Sequence, residues 1–175
     1  IAEQGFVGLA GGVALEGSYR PVVELMYADF ALVAADQLFN QIAKARHMFG
    51  GDTPMPLVVR TKCAIGTGYG AQHSMDPAGL YSMWPGWRIV APSTPFDYVG
   101  LMNSALKCED PVLVIEHTDL YGTSGPGPLE DFDYCVPLGK ARVARSGSTF
   151  TVVTYLSMTP LAAEVASEMG LDAEI

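Results

Sequence analysis

IAEQGFVGLAGGVALEGSYRPVVELMYADF, residues 1–30, places a carboxylate, Glu3, ahead of a run of small residues and then passes through an apolar segment into an aromatic side chain, Phe30. The run reads as a helix, although Gly5, Gly8, Gly11 and Gly12 are poor helix formers, each costing about 1 kcal/mol relative to alanine. Close packing is the expected compensation, because a helix without bulky side chains admits another backbone or a flat ligand. Glu3 then reads in two ways. It is an acid placed favourably at the positive end of a helix dipole, or it is a carboxylate that hydrogen-bonds a ring nitrogen while Phe30 covers the face of that ring.

Working outward, Arg20 and Pro21 break the helical pattern and PVVELMY (21–27) reads as a buried strand. Asp29 stands where a helix N-cap would, and residues 30–49 show apolar positions at helical spacing, ended by Gly50 and Gly51. One face of that helix carries Asp36, Gln37, Asn40 and Gln41 beside Phe39 and Ile42, a mixture suited to burial between subunits. PMPLVVRT (54–61), WRIVAP (87–92) and PVLVIEH (111–117) are further strands, and 94–108 is a helix with Thr94 as N-cap and Pro95 at its first position. Strands alternating with helices of this length predict an α/β fold with a mainly parallel sheet and helices on both faces.

Between these elements lies the loop KCAIGTGYGAQHSMDPAG (62–79). It lacks GxxxxGK[ST], so its glycines are a weak phosphate signal. His73 is the better candidate, as a structural residue or as a proton carrier whose unperturbed pKa lies near neutrality. Residues 118–148 read as an irregular linker across the surface, in which Pro126 interrupts the nearest approach to GxSxG. FTVVTYLSM (150–158) is predicted as a strand, 159–170 as a helix and LDAEI as the opening of another strand. This last piece reads as the start of a second α/β unit.

A net charge of −9 disfavours a nucleic-acid partner. With 49% hydrophobic and only 17% charged residues, the chain is expected to hide apolar surface in an obligate oligomer. Cys63, Cys108 and Cys135 are odd in number and widely spaced, which argues for a reducing compartment rather than disulfides or structural zinc. No apolar run reaches the roughly 18 residues of a membrane span. No signal peptide is visible, and the chain reads as partial at both ends.

IAEQGF, the strand into ADF, the helix with ADQ, the AQHS loop, the APSTP turn and the PLGKARV linker together resemble the beta subunit of the thiamine-diphosphate-dependent 2-oxo acid dehydrogenases. This is the decarboxylating component of the pyruvate, branched-chain and acetoin complexes. The resemblance implies a transketolase-like pyrimidine-binding domain followed by a transketolase C-terminal-type domain, with the boundary near Ser146. It implies oxidative decarboxylation of a small 2-oxo acid, with acyl transfer to the lipoyl group of an acyltransferase. It places the catalytic glutamate on Glu3, where the motif usually reads ISE, the ring-stacking aromatic on Phe30, an apolar cofactor contact on Met26 and the active-site histidine on His73. Diphosphate and magnesium would be held by an alpha subunit carrying GDG, a motif absent from this sequence, in a heterotetramer that also contains a second beta subunit. The compartment implied is a bacterial cytoplasm or a mitochondrial matrix.

Some members of that family hold potassium through backbone carbonyls, here by position those of Leu57, Ala105, Cys108 and Asp110; an ordinary helix-to-strand turn is the competing reading. Where members carry an RGP segment this chain has RTKCAIGTGYG. That change introduces Lys62, which is either solvated or paired with a substrate carboxylate. Ser18 and Tyr19 lengthen a surface turn. The alternatives to a dehydrogenase subunit are another transketolase-like thiamine enzyme, acetoin-cleaving or sugar-phosphate type, and a non-catalytic structural subunit.

Overall fold

The structure, a computed structural model, describes residues 1–128 and 130–175. Its principal sheet has four parallel strands, β1 (Val22–Leu25), β2 (Val58–Cys63), β3 (Arg88–Val90) and β4 (Val112–His117), in the spatial order β1-β2-β4-β3. Val22 stands opposite Val58, Val58 opposite Val112, and Arg88 opposite Val112. The strands therefore begin level, and everything that follows a strand emerges along one edge. All six residues of β4 are buried, as its continuous apolar run requires of a strand covered on both sides.

At the edge of the sheet β1, read as a buried strand, buries only Val23 and Leu25, while at the centre both faces are covered. On one, Val23, Leu25, Val59, Leu113 and Ile115 pack with α1 (Glu3–Glu16), with Leu38, Phe39 and Ile42, and with Tyr81 of α3 (Ala78–Ser82). On the other, Val58, Val112 and Val114 pack against α4 (Pro95–Lys107). Thr94 caps α4 as expected, its Oγ1 accepting from the Asp97 N–H at 3.1 Å, a contact worth about 1 kcal/mol. The glycine-rich α1 also packs as anticipated. A Cβ added at Gly11 would lie 3.2 Å from Ile42 Cγ1, and one at Gly8 would lie 3.3 Å from Gln37 Cγ. No described helix is long and apolar enough to cross a membrane.

Two expectations are corrected. The helix read over 30–49 is three segments: a 3₁₀ turn (Ala28–Leu32), a π-helix (Asp36–Ile42) and α2 (Ala43–Met48). Leu38, Phe39 and Ile42 all face inward from the π turns, as positions i, i+1 and i+4 of an α-helix also would, so the apolar pattern is the same for either. Asp29 does not cap it; its carboxylate accepts from the Met75 N–H at 3.2 Å. The strand read over 150–158 is only β5 (Phe150–Thr151), paired in parallel with β6 (Ala173–Glu174). It ends early because Leu156, with φ of 54°, turns away from β6 and is buried in the core of the principal sheet. α5 (Met158–Glu168) closes the second sheet through Ala166, packed with Ala173 and Ile175. The linker crosses the surface of α4, where Asn103 Nδ2 donates to the carbonyls of Phe132 and Tyr134 at 2.7 and 2.9 Å.

Candidate functional site

The carboxyl ends of parallel strands leave a crevice in which ligands of α/β proteins bind. Here Met26, Tyr27 and Phe30 follow β1, Lys62 lies at the end of β2, and Tyr121 follows β4. His73 closes the loop after β2 and joins this group. Its ring lies 4.3 Å from Tyr27 and 5.8 Å from Phe30, edge-on to both. Tyr69 completes the cluster at 5.8 Å from Tyr27. Burial and the neighbouring Tyr69 hydroxyl push the Tyr27 hydroxyl pKa above its ordinary value. Lys62 Nζ stands 4.9 Å from the centre of the Tyr27 ring.

Glu3 reaches the same edge by chain direction. α1 packs along β1 and is joined to it by a short turn, so the helix starts near the end at which β1 finishes. Its carboxylate is half-buried and makes no hydrogen bond among the described residues. The structure thus gathers Phe30 and His73, with Tyr27 and Tyr69, into one cluster and sets Met26 and Glu3 at the same end of the sheet.

The loop carrying His73 is shaped by Gly66, Gly68 and Gly70, all with φ between 82° and 87°, a region that side chains other than glycine rarely adopt. The Ala64 N–H donates to the His73 carbonyl at 3.1 Å. Beyond His73, Asp29 holds Met75, and the Tyr155 hydroxyl donates to Asp76 at 2.5 Å. Neither tether was legible in the sequence, because each joins residues far apart in the chain.

Behind the cluster, Glu116 is the centre of a charged network. Arg60 donates to both its oxygens at 2.8 and 2.9 Å, Tyr98 at 2.8 Å and Tyr121 at 2.5 Å. Burial pushes the Glu116 carboxyl up, but the bonds from Arg60, Tyr121 and Tyr98 outweigh it and hold it below the ordinary value. Beside this network is a cleft of about 390 Å³, lined by Arg60, Pro95, Tyr98, Glu116, His117 and Tyr121 among others.

Leu57, Ala105, Cys108 and Asp110 lie at the opposite end of the sheet. The carbonyls of Leu57 and Ala105 accept from Val112 and Cys108 N–H groups, and that of Cys108 accepts from Arg20 at 2.7 Å. Each keeps a second lone pair, so the donor chemistry suits a monovalent cation, although the Arg20 guanidinium stands against one of the oxygens. Among the described residues no cluster of three or more His, Cys, Asp or Glu is placed to hold a metal ion.

Residues 1–123 match the family described as transketolase, pyrimidine binding domain. The chain belongs to that family. Along its whole length it is also 42% identical, over 178 residues, to the acetoin:2,6-dichlorophenolindophenol oxidoreductase subunit beta of Cupriavidus necator, covering 52% of that protein. It is 38% identical over 180 residues to the mitochondrial pyruvate dehydrogenase E1 component subunit beta-1 of Arabidopsis thaliana, covering 49% of it. The chain spans about half the length of the curated relatives it matches. A solved structure described as a split-gene transketolase, inactive beta4 tetramer, shares the fold with a TM-score of 0.74 at 23% identity, over 99% of this chain and 54% of that one.

A pyrimidine ring, the ligand for which the family is named, suits the residues at the carboxyl edge. Phe30 is half-buried, His73 meets it edge-on, Met26 is 57% exposed and Glu3 has no partner among the described residues.

Proposed function

We propose that this chain is the pyrimidine-binding part, residues 1–145, and the beginning of the C-terminal-type domain, 146–175, of a beta subunit of a thiamine-diphosphate-dependent 2-oxo acid dehydrogenase. The observation that carries the reading is the pairing of an unpartnered carboxylate, Glu3, with the Met26–Phe30 turn and His73 at one sheet edge. Thiamine diphosphate, when bound, supplies the electron sink for breaking a carbon–carbon bond beside a carbonyl. Glu3 holds a proton at its carboxyl oxygen and shares it with a pyrimidine nitrogen. Phe30 and Met26 pack against the ring and exclude water. His73 orients the substrate oxo group by hydrogen bonding.

An alpha subunit would hold the diphosphate and magnesium, and the carbonyls of Leu57, Ala105, Cys108 and Asp110 would hold a potassium ion. A lipoyl acyltransferase would accept the acyl group, in the cytoplasm of a bacterium or the matrix of a mitochondrion. Two features support completion of the site by another subunit. Met26, Leu32, Val33 and Tyr69 lie exposed at 57%, 60%, 50% and 59%, and relatives are named as beta subunits. A second reading, cleavage of the neutral acyloin acetoin, is favoured by the name of the Cupriavidus relative.

The test is turnover by the full-length protein, co-expressed with its alpha partner, with thiamine diphosphate, magnesium and an artificial electron acceptor. Pyruvate, 3-methyl-2-oxobutanoate and acetoin are offered separately. Turnover of one of them is expected, together with its loss in Glu3→Gln at unchanged assembly. Full activity of Glu3→Gln would make this a structural subunit.

A further inference from the structure

Among the described residues Lys62 is a cation without a counter-ion. It is half-buried at the end of β2, with Nζ 4.9 Å from the Tyr27 ring centre and 5.9 Å from that of Tyr121. None of the ion pairs among the described residues includes it, although the chain carries nineteen acidic residues against ten basic ones. Its register partner across the sheet is Glu116, and adjacent strand residues of opposite charge ordinarily pair. That carboxylate is already filled by Arg60, Tyr98 and Tyr121. With its hydroxyl turned to Glu116, Tyr121 offers Lys62 a ring rather than an oxygen. Aromatic faces hold an ammonium in place without neutralising it. The Tyr27 ring that holds it is the one His73 touches at 4.3 Å, which puts the charge next to the proposed substrate position.

We propose that Lys62 binds a carboxylate of the substrate, so that the substrate is an anionic 2-oxo acid and not a neutral acyloin. The proposal rests on the thiamine-enzyme reading above and narrows its substrate class. The carboxylate has two possible sources: the one that leaves as carbon dioxide, or a second one retained by a dicarboxylic 2-oxo acid. The two differ in which substrates respond. A contact with the leaving group stabilises the ground state more than the transition state, so its removal raises KM without lowering kcat for every 2-oxo acid. A contact with a retained carboxylate is made equally in both states, so its removal raises KM alone, and only for the dicarboxylic substrate.

The experiment compares wild type, Lys62→Met, Lys62→Arg and, as a control, Lys44→Met, whose ammonium lies over Trp84 at 4.9 Å and outside the proposed site. Full-length protein assembled with its alpha partner is assayed with pyruvate, 2-oxoglutarate and acetoin. Binding of pyruvate and 2-oxoglutarate is also measured by calorimetry in a Glu3→Gln background, where no turnover obscures the heat. Wild type is expected to turn over a 2-oxo acid in preference to acetoin, and Lys62→Met to weaken that 2-oxo acid by about tenfold or more in KM and in Kd while leaving any turnover of acetoin unchanged. Lys62→Arg should recover most of the loss, and Lys44→Met should match wild type. Equal Kd values for wild type and Lys62→Met, no carboxylate binding at all, or an equal loss with acetoin overturns the proposal. Absence of turnover with every substrate would condemn the thiamine-enzyme reading separately, while the calorimetric comparison would still decide the role of Lys62.

Discussion

The two edges of the principal sheet are built on opposite rules. At the amino edge, charges are answered within the chain: Arg20 pairs with Glu109, and Arg46 and Arg88 both pair with Asp110. The Met55 N–H also donates to the Glu109 carbonyl at 2.9 Å, locking the start of β2 to the start of β4. At the carboxyl edge, Glu3 and Lys62 have no hydrogen-bonding or ionic partner among the described residues, and apolar side chains such as Met26 and Leu32 face outward. Satisfied groups stabilise the fold, whereas unsatisfied groups are left for something that binds. Substitutions at the two edges should therefore separate stability from activity.

The largest separation is expected from Glu3→Gln, which keeps the shape of the side chain and removes the proton chemistry proposed for it. Turnover of the assembled enzyme should fall by about 10²–10⁴-fold, while its melting temperature stays at the wild-type value. A fall in melting temperature matching the loss of activity would mean that Glu3 merely caps its helix.

Glu116, like Asp29 and Asp76, is a satisfied carboxylate at the carboxyl edge, and it tests whether satisfaction or location governs the effect. Glu116→Gln leaves Arg60 without its main partner and should cost about 3 kcal/mol, the low end for a broken buried pair because Arg60 is partly solvated. The pH dependence has a definite sign. The folded-state pKa lies below the ordinary 4.5, so the stabilisation is complete above that value and is lost as pH falls through the depressed one. Melting curves of wild type and Glu116→Gln should converge on acidification from neutrality to below that value. A gap that widened on acidification would mean that the carboxyl is held above its ordinary value.

Much of this contrast was legible before the fold was known, and what was missed has a common cause. LVV and VLVIEH announced their strands because a parallel strand covered on both faces must be apolar throughout, whereas VVEL, read as buried, is an edge strand that buries only Val23 and Leu25. Thr94 and Pro95 announced α4 because capping is local chemistry. The segment around Leu38 and Phe39 was misjudged because apolar periodicity does not distinguish an α turn from a π turn. The strand after Phe150 was overextended because the pull on Leu156 comes from another core. Glu3, Met26, Phe30 and His73 stood out through ordered motifs. Tyr27, Tyr69 and the isolation of Lys62 depend on which residues meet across strands, and no spacing along the chain records that.

At the amino edge, Asp110→Asn should lower stability by about 1–2 kcal/mol, since it weakens charge-assisted bonds to two arginines at once. Substrate KM should not change, because the site lies at the other end of the strands. Paired measurement of thermal unfolding and steady-state kinetics checks both halves of the statement. A KM shift without loss of stability would erase the distinction between the edges.

Arg20→Ala probes the same edge at its weakest point. The pair with Glu109 is well exposed, 40% on one side and 49% on the other, so the ion pair itself is worth only about 0.2–1 kcal/mol. Arg20 also donates to the Cys108 carbonyl, one of the oxygens proposed to hold potassium. Removing the guanidinium takes away a repelling charge and frees that oxygen's lone pair. If those carbonyls take a monovalent cation, the variant should be slightly less stable in sodium buffer and regain the difference in potassium buffer, with wild type responding less. An equal response of both proteins to potassium would place the cation elsewhere, and the amino edge would then be stabilised by its arginine pairs alone.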